Sequence, residues 1–348
     1  MNKRRPKFRR VPELEIKLRL TQRDLCMIAV IKRYGLISTS LLVRLVGGNE
    51  DVTYRRLRNL YDLGLVNRFS LPRTVGPPGE FIYYLDNAKA LDLLHEHGGI
   101  PAERLDREAI WRNREKAYAD LLDPVKAQYR LGSLFFIQHE LTISRLHAML
   151  ELGCQRSEGR IRLAEWRQGP ELWNRIGVPK MLYDNERRVW VESDEVHMMS
   201  HRPDAYFTLH LPGNPDGQQH VHFFYEADRG TTSTETARLK FRTYFHFIVR
   251  AKKIREDYDV RRVRAVLVET TDKRRVEDLR AVARHPTVCR ETASPLFWFT
   301  ISPLFTKTQK VEEGSRVRDV PHHLARPEVV FDKIWLPASH NTFCSLLD

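Results

Sequence analysis

Three acidic residues in the second half of the chain stand where they could form a metal site. Asp204 directly follows Pro203 at the start of a strand-like run, and Glu226 and Asp228 close a later run, FFYEAD. Alternate residues of a strand share one face, so both carboxylates of the later run are predicted to lie together. If the two strands are neighbours, the three carboxylates converge at one sheet edge, where Glu140 of the preceding QHEL segment could add a fourth oxygen.

Such a cluster of oxygen ligands suits Mg²⁺ or Mn²⁺, which polarises a phosphodiester and activates water. The predicted chemistry is therefore metal-assisted phosphodiester hydrolysis. Its metal ligands would be Glu140, Asp204, Glu226 and Asp228. The same acids have a structural alternative, because acids at strand ends also cap helices or pair with surface arginines.

The arrangement resembles the core of the PD-(D/E)xK nucleases, in which an Asp follows a Pro on one strand and an acid and a lysine stand two apart on the next. Pro203–Asp204 and Glu226 match this pattern, while Asp228 occupies the lysine position. In that family the lysine is thought to orient the attacking water and to offset charge in the transition state. Lys240 and Arg229 are the candidates for a displaced cation. The implied catalytic set is Asp204, Glu226, Asp228 and Lys240.

The elements expected around these residues run from about 136 to 348. A helix at 137–152 precedes strand-like runs at 161–166, 188–192, 205–211 and 221–226. An amphipathic helix at 234–251, a strand at 263–268, a helix at 273–283 and the strand LFWFTI complete the pattern. Helix, several strands, helix and strand predict an α/β or α+β domain with a mixed sheet. The resemblance to the PD-(D/E)xK core implies that this domain is nuclease-like. The whole chain is thus expected to be α+β.

The first hundred residues show a different, helical pattern. Thr21 and Asp24 form a near capping box before a helix that ends at Gly35, and two further helices begin near Ser38 and Asp51. Two strand-like runs at 66–71 and 80–85 flank a Gly- and Pro-rich loop, and a closing helix follows. This order predicts a winged helix-turn-helix over 18–98, a basic arm over 1–17 and a helical connector over 99–135.

The third helix and the wing of this unit carry the candidate DNA contacts. Arginine and asparagine are side chains that pair with base edges in the major groove of duplex DNA. The predicted contacts are Thr53, Arg55, Arg56 and Asn59 on the helix and Arg68 and Arg73 on the wing. The alternatives are a solvated basic helix face and a winged helix that docks another protein.

The composition favours a polyanionic partner. Among 348 residues, 58 Lys and Arg outnumber 45 Asp and Glu, which gives a net charge of +13. A balance of this kind places nucleic acid ahead of a membrane surface or an acidic protein. The apolar runs fall far short of the ~20 residues of a membrane helix. Four scattered cysteines without a CxxC pair indicate reduced thiols. A cytoplasmic protein without a membrane segment is expected.

Both halves of the sequence together resemble the replication-relaxation family of plasmid and conjugative-element proteins. The similarity lies in LTQRDLCMIAVIKRYGLIST, TYRRLRNLYDLGLVNR, QHELTISRLHAML, RPDAYFTL and YEADRGTTSTETARLKFRTY, over about residues 18–270. The resemblance implies a winged helix, a nuclease-like domain and a role in mobilisation or replication initiation. It also implies relaxosome or replication proteins as partners. By the same similarity Glu140, Asp204, Glu226 and Asp228 are site candidates, with Glu235 and Lys240 in the flanking helix.

The expected function is therefore DNA binding, with metal-dependent cleavage as the proposed reaction of the second domain. A non-catalytic DNA-binding scaffold that keeps the nuclease fold is the first alternative. A transcriptional regulator that acts through the winged helix alone is the second.

Overall fold

The computed structural model describes residues 10, 19–71, 80–85, 88–98, 131–251, 253–289, 294–313 and 316–348. The chain divides into two units, Met1–Ala148 and Met149–Asp348. Three predicted features lie wholly or mostly outside the described residues: the basic arm apart from Arg10, the connector up to residue 130, and the wing loop with Arg73. No described helix has the length and apolar character needed to cross a membrane.

Three helices open the N-terminal unit, and each begins at a capping side chain. Their bounds are Gln22–Tyr34 for α1, Thr39–Val46 for α2 and Glu50–Asp62 for α3. The carboxylate of Asp24 accepts a hydrogen bond from the backbone N–H of Thr21 at 2.7 Å, as the predicted capping box requires. The side chains of Ser38 and Asn49 accept backbone hydrogen bonds from the first turns of α2 and α3. The three predicted helices are confirmed.

A small antiparallel sheet completes this unit. Its strands are Ile37–Ser38 (β1), Asn67–Ser70 (β2) and Phe81–Tyr84 (β3). β3 lies between the other two, so the predicted hairpin gains a third, short strand from the α1–α2 connection. Among the described residues, two helices follow, Ala88–Gly98 (α4) and Leu131–Arg156 (α5). Ile137 of α5 packs with Leu36, Phe69 and Ile82, so the first part of α5 belongs to this core.

The C-terminal unit is built on ten strands and a set of shorter helices among the described residues. The strands are Arg162–Gln168 (β4), Asn174–Asp184 (β5), Val189–His201 (β6), Ala205–His210 (β7), His220–Ala227 (β8), Ala265–Thr270 (β9), Phe297–Ile301 (β10), Thr308–Glu313 (β11), Arg316–Pro321 (β12) and Leu336–Pro337 (β13). The α-helices are Thr234–Phe245 (α6), Ile254–Tyr258 (α7), Lys273–Ala283 (α8), Pro286–Cys289 (α9), Pro303–Thr306 (α10) and His322–Ala325 (α11). A π-helical turn, His246–Arg250, continues α6, and two 3₁₀ turns lie at Pro170–Leu172 and Pro327–Phe331.

Six of these strands form one mixed sheet in the order β4-β7-β8-β9-β10-β13. β8, β9 and β10 run parallel, and the other neighbours pair antiparallel. The helices α6 and α8 serve as the two crossovers between parallel strands. The mixed α+β fold is as predicted from the alternation of elements. The parallel strands are buried on both faces, which explains their nearly continuous apolar sequences.

The long hairpin of β5 and β6 is inserted between β4 and β7 and pairs only with itself. The sequence indicated only a short strand near 188–192, whereas β6 extends from Val189 to His201. β5 was not predicted, because Gly177 and Pro179 interrupt its apolar pattern. The base of the hairpin joins the main core through Ile176 and Val178. The hairpin therefore leaves the sheet and returns to it immediately before Asp204.

One hydrophobic core fills the space between the sheet and the helices α6 and α8. From the sheet it contains Phe224, Val266, Val268, Phe297 and Phe299; from the helices it contains Ala237, Phe241, Tyr244, Val276 and Leu279. The helix residues recur every three or four positions, as an amphipathic helix packed on a sheet requires. This packing fixes which face of α6 points at the sheet.

Asp24 of α1 is a buried charged residue that connects this helix to α3. It is fully buried, and the Nε atom of Arg56 donates to its Oδ1 at 2.7 Å. Burial acts to raise the pKa of Asp24, but the hydrogen bonds from Arg56 and Thr21 outweigh it and hold the pKa below the ordinary value. A carboxyl group with a lowered pKa stabilises the fold above its unfolded pKa of about 3.9, and this stabilisation is lost as the pH falls.

The substitution Asp24→Asn is therefore expected to lower the free energy of opening of α1 by about 1–3 kcal/mol near neutral pH. The difference from the wild type should shrink as the pH falls below about 3.9. Amide hydrogen exchange of residues 22–34, measured by mass spectrometry at about pH 7 and at about pH 3, checks this. Asp92→Asn, at an exposed position of α4, is the matched control. An equal effect of both substitutions would contradict the assignment.

Candidate active site

The sheet topology brings Asp204 and Glu226 to the same edge. β8 and β9 are parallel, so their carboxyl ends lie together, and β7 is antiparallel to β8, so its first residue reaches the same edge. The pairing of Ala205 with Tyr225 fixes this register. The Oδ2 atom of Asp204 accepts a hydrogen bond from the backbone N–H of Ala227 at 2.9 Å. The carboxylate of Asp204 is thus held beside the end of β8.

Glu226 is a buried carboxyl group, 3% exposed, with two side-chain donors from α6. Lys240 donates from Nζ to its Oε2, and the hydroxyl of Tyr244 donates to its Oε1 at 2.5 Å. Burial, and then the negative charge of Asp204, raise the pKa of Glu226 to about 8, although the two donors oppose the shift. Two carboxyl groups and the amino group of Lys240 therefore share a small, poorly solvated space.

The helix α6 positions both donors. Its first turn is capped by Ser233, whose hydroxyl accepts from the backbone N–H of Thr236 at 3.1 Å. Lys240 and Tyr244 are four residues apart and so lie on the same side of the helix. Tyr244 is fully buried, whereas the side chain of Lys240 is 39% exposed. Lys240 therefore reaches Glu226 from a position that a substrate could also reach.

The charge of Lys240 is stabilised by its position. Burial acts to lower the pKa of Lys240, but the negative charges of Glu226 and Asp204 raise it above the ordinary value. The side chain is thus an ammonium ion at neutral pH. A fixed positive charge at this edge can offset negative charge that develops on a bound phosphate.

Asp228 is engaged differently from the other two acids. Arg275, at the start of α8, donates to both of its oxygens, at 2.9 and 3.0 Å, and Thr270 donates to it at 2.7 Å. Arg275 also donates to the backbone oxygen of Thr232. The pair holds the β8–α6 loop against α8. The role predicted for Asp228, ligating a metal or orienting water, remains a prediction, and its oxygens have these partners in the structure.

A buried histidine packs behind Tyr244. His201, the last residue of β6, is 2% exposed, and its ring centroid lies 4.6 Å from that of Tyr244. Its Nδ1 atom lies 3.1 Å from the Oδ1 atom of Asn174. Burial, and then the positive charge of Lys240, lower the pKa of His201 to about 3. The ring is therefore a neutral packing partner for the tyrosine that holds Glu226.

The donor set at this edge fits a hard divalent cation. Mg²⁺ is commonly held by one or two carboxylates together with substrate phosphates. Asp204 and Glu226 supply two such carboxyl groups. Burial, and then the negative charge of Asp204, raise the pKa of Glu226, and a bound cation would lower it again. Within the described part of the chain, no group of three or more His, Cys, Asp or Glu side chains is placed to hold a metal ion. The protein can therefore offer a two-carboxylate site.

The two remaining acidic candidates are Glu140 and Glu235. Glu140 is a buried residue in the part of α5 that belongs to the N-terminal unit, and His139 lies 3.8 Å from its carboxylate. Glu235 is exposed in the first turn of α6 and pairs with Arg238 at 2.7 Å. Metal binding by Glu140 stays a prediction from the sequence.

The predicted DNA contacts of the N-terminal unit fall into separate environments. Arg55 is exposed and Asn59 is half-buried. Arg56 is paired with Asp24. The prediction that Thr53 faces outward is wrong: it is fully buried, and its hydroxyl accepts from Arg23 at 2.7 Å.

Arg68 also differs from the prediction of an accessible residue on the wing. It is 7% exposed, and its guanidinium carbon lies 4.0 Å from the ring centroid of Phe81 and 4.4 Å from that of Tyr61. Both rings make cation–π interactions with the guanidinium group, so its charge is stabilised in a buried position. Among the described candidates for DNA contact, Arg55 is thus the exposed one.

Tyr244, Arg275 and His201 were missed by the sequence reasoning. The i, i+4 spacing from Lys240 was a signal that could have pointed to Tyr244. Arg275 lies 47 residues from Asp228, and no local pattern connects the two. His201 stands three residues before Asp204, but its burial depends on α6 and on the π-helical turn that follows it.

Comparison with known proteins gives one match. The family model described as replication-relaxation matches residues 28–261, which confirms the resemblance seen in the sequence. Neither a curated protein nor a solved structure matches the chain.

The low pKa of His201 predicts how the stability of the C-terminal unit depends on pH. A histidine whose pKa is lowered by folding stabilises the fold above its unfolded pKa, about 6.5, and this contribution is lost as the pH falls towards about 3. His201→Leu is expected to flatten the loss of stability between about pH 6 and pH 4. Thermal unfolding across this range checks it, with His340→Leu, at an exposed position, as the control. If the wild type and His201→Leu lose stability in parallel, the buried neutral histidine is not the cause.

Proposed function

Because the chain belongs to the replication-relaxation family, we propose that it binds DNA and cleaves it with a divalent metal ion during replication or mobilisation of a plasmid or mobile element. Membership of the family points to DNA or replication proteins as partners. The single observation that carries the proposed cleavage is the meeting of Asp204, Glu226 and Lys240 at one sheet edge.

DNA binding is assigned to the N-terminal unit, interpreted as a winged helix. Three helices followed by an antiparallel hairpin are the elements of that motif, in which the third helix enters the major groove. The exposed side chain of Arg55 on α3 can reach a phosphate or a base edge. The net charge of +13 supports electrostatic attraction to duplex DNA.

Cleavage is assigned to the C-terminal unit, interpreted as a PD-(D/E)xK-like domain. Asp204 and Glu226 would hold Mg²⁺ or Mn²⁺, which supplies polarisation of the scissile phosphate and activation of water when bound. Lys240 provides the cation that the motif places two residues after the acid, here from α6. The hydroxyl of Tyr244 holds Glu226 in position through Oε1. Asp228 binds Arg275, and this pair holds the loop between β8 and α6 in place.

A second candidate function is a non-catalytic DNA-binding scaffold on the same fold. It is favoured by the ion pair of Lys240 with Glu226, which already neutralises the buried carboxylate. It is also favoured because, among the described residues, no group of three or more His, Cys, Asp or Glu side chains is placed to hold a metal ion. The two functions differ in one measurable property, the cleavage of DNA.

For DNA binding, Arg55→Ala is expected to weaken the affinity for duplex DNA and to reduce the slope of log affinity against log salt by about 1. The physical reason is the loss of one contact that releases a counterion. A titration by fluorescence anisotropy at several salt concentrations measures both quantities. Lys89→Ala, which removes an exposed charge from α4, is the control. Unchanged binding by Arg55→Ala would remove α3 from the proposed interface.

For cleavage, the wild type is expected to nick supercoiled plasmid DNA in the presence of Mn²⁺, and Asp204→Asn is expected to abolish nicking. Asparagine keeps an acceptor for the backbone N–H of Ala227 but loses the negative charge that a metal requires. Lys240→Met should lower the rate by about 10²–10³-fold, as expected for a lost transition-state charge. Gel electrophoresis of the plasmid forms measures all three proteins.

Asp194→Asn, at an exposed position of β6, should nick like the wild type. Equal nicking by the wild type and Asp204→Asn would show that the activity does not come from this site. Absence of nicking with every divalent ion, together with intact DNA binding, would favour the scaffold.

A further inference from the structure

An exposed tryptophan lies at the same sheet edge as the two carboxylates. Trp173 follows the 3₁₀ turn Pro170–Leu172 and directly precedes β5, and 45% of its surface is exposed. The neighbouring Leu172 is buried in the main core and fixes the backbone at this point. Trp173 is thus an exposed aromatic ring on an anchored segment.

The position of Trp173 follows from the register of the strands. β4 ends at Gln168, which pairs with Ala205 at the start of β7, so the chain leaves the sheet at the edge where Asp204 stands. At the base of the hairpin Asn174 pairs with His201. The residues on either side, Trp173 and Arg202, therefore face each other next to the Pro203–Asp204 step.

An arginine lies over the tryptophan ring. The guanidinium carbon of Arg202 is 5.0 Å from the ring centroid of Trp173, and Arg202 is itself exposed. A second guanidinium group lies near the end of β4, where Arg167 pairs with Glu165 and is 5.5 Å from the ring centroid of Tyr206 and 5.3 Å from that of Tyr258. This edge thus combines an accessible aromatic surface with positive charge.

A cation–π pair at an exposed position contributes little to stability, so the fold does not require this pair. An exposed aromatic ring beside an arginine can bind nucleic acid in proteins that recognise unpaired strands. There, bases stack on aromatic side chains while arginine and lysine follow the backbone. A base pair within a duplex hides its faces in the stack, so a tryptophan ring can receive only a base that has left it.

We propose that Trp173 and Arg202 form a stacking site for one base of an unpaired DNA strand, and that the substrate of the C-terminal unit is single-stranded or locally melted DNA. The inference rests on the proposed function, because it assigns the strand that Asp204 and Glu226 would act on. Arg202 would contact the phosphate or the stacked base, and the adjacent Pro203–Asp204 step would place the backbone near the carboxylates.

The experiment measures binding of the full-length protein to a labelled oligodeoxythymidine by fluorescence anisotropy, in EDTA so that no cleavage occurs. Trp173→Ala is expected to weaken this binding by about 5- to 100-fold, the loss of one stacked base. Trp173→Phe, which keeps an aromatic face, should restore most of it. Affinity for a duplex of mixed sequence should change by no more than about twofold in either variant.

Tyr183→Ala is the matched control, since Tyr183 is 46% exposed near the far end of β5. It should bind the oligodeoxythymidine like the wild type. Equal binding by Trp173→Ala and the wild type would overturn the stacking site, and so would equal losses for single strand and duplex.

Failure of the proposed function would give a different result. In that case the wild type would nick no plasmid while its single-strand affinity still depended on Trp173. A loss of affinity with both Ala and Phe at position 173 would indicate damage to the fold and would also count against stacking.

Discussion

The carboxyl group of Glu226, at the buried end of a central strand, is the constraint around which the C-terminal unit is arranged. A carboxylate that is 3% exposed is costly unless its oxygens are satisfied. Here Lys240 and Tyr244 satisfy both oxygens from one face of α6. The helix α6 must therefore pack on the sheet in one orientation about its own axis. His201 must fill the space behind Tyr244.

The same constraint explains why this site differs from the sequence motif that it resembles. The motif places its lysine on the strand, two residues after the acid, where this chain has Asp228. That position is used instead to bind Arg275 and to hold the β8–α6 loop on α8. The cation reaches Glu226 from α6. Under the proposed nuclease interpretation, Lys240 would supply the positive charge beside the buried acid.

The N-terminal unit uses buried charge in a similar way. Asp24 caps α1 and binds Arg56 of α3, so one carboxylate satisfies two helices. Arg68 lies between aromatic rings, and Thr53 bonds to Arg23. Several polar residues that the sequence pattern places on a DNA surface thus stabilise the fold instead. Among the described candidates for DNA contact, Arg55 is exposed.

The order and type of most elements can be predicted from the sequence, because helix caps, glycines at helix ends and apolar periods are local signals. These signals locate α1 to α3, the strands β2 and β3, and the strands β7 and β8 next to Asp204 and Glu226. The hairpin of β5 and β6 was largely missed, since its glycine and proline obscure the strand pattern. Which charged side chains form pairs could be seen only in the tertiary structure. Asp228 and Arg275, or Asp24 and Arg56, are far apart in sequence, and their pairing depends on helix rotation and strand register, which arise from packing across the whole unit.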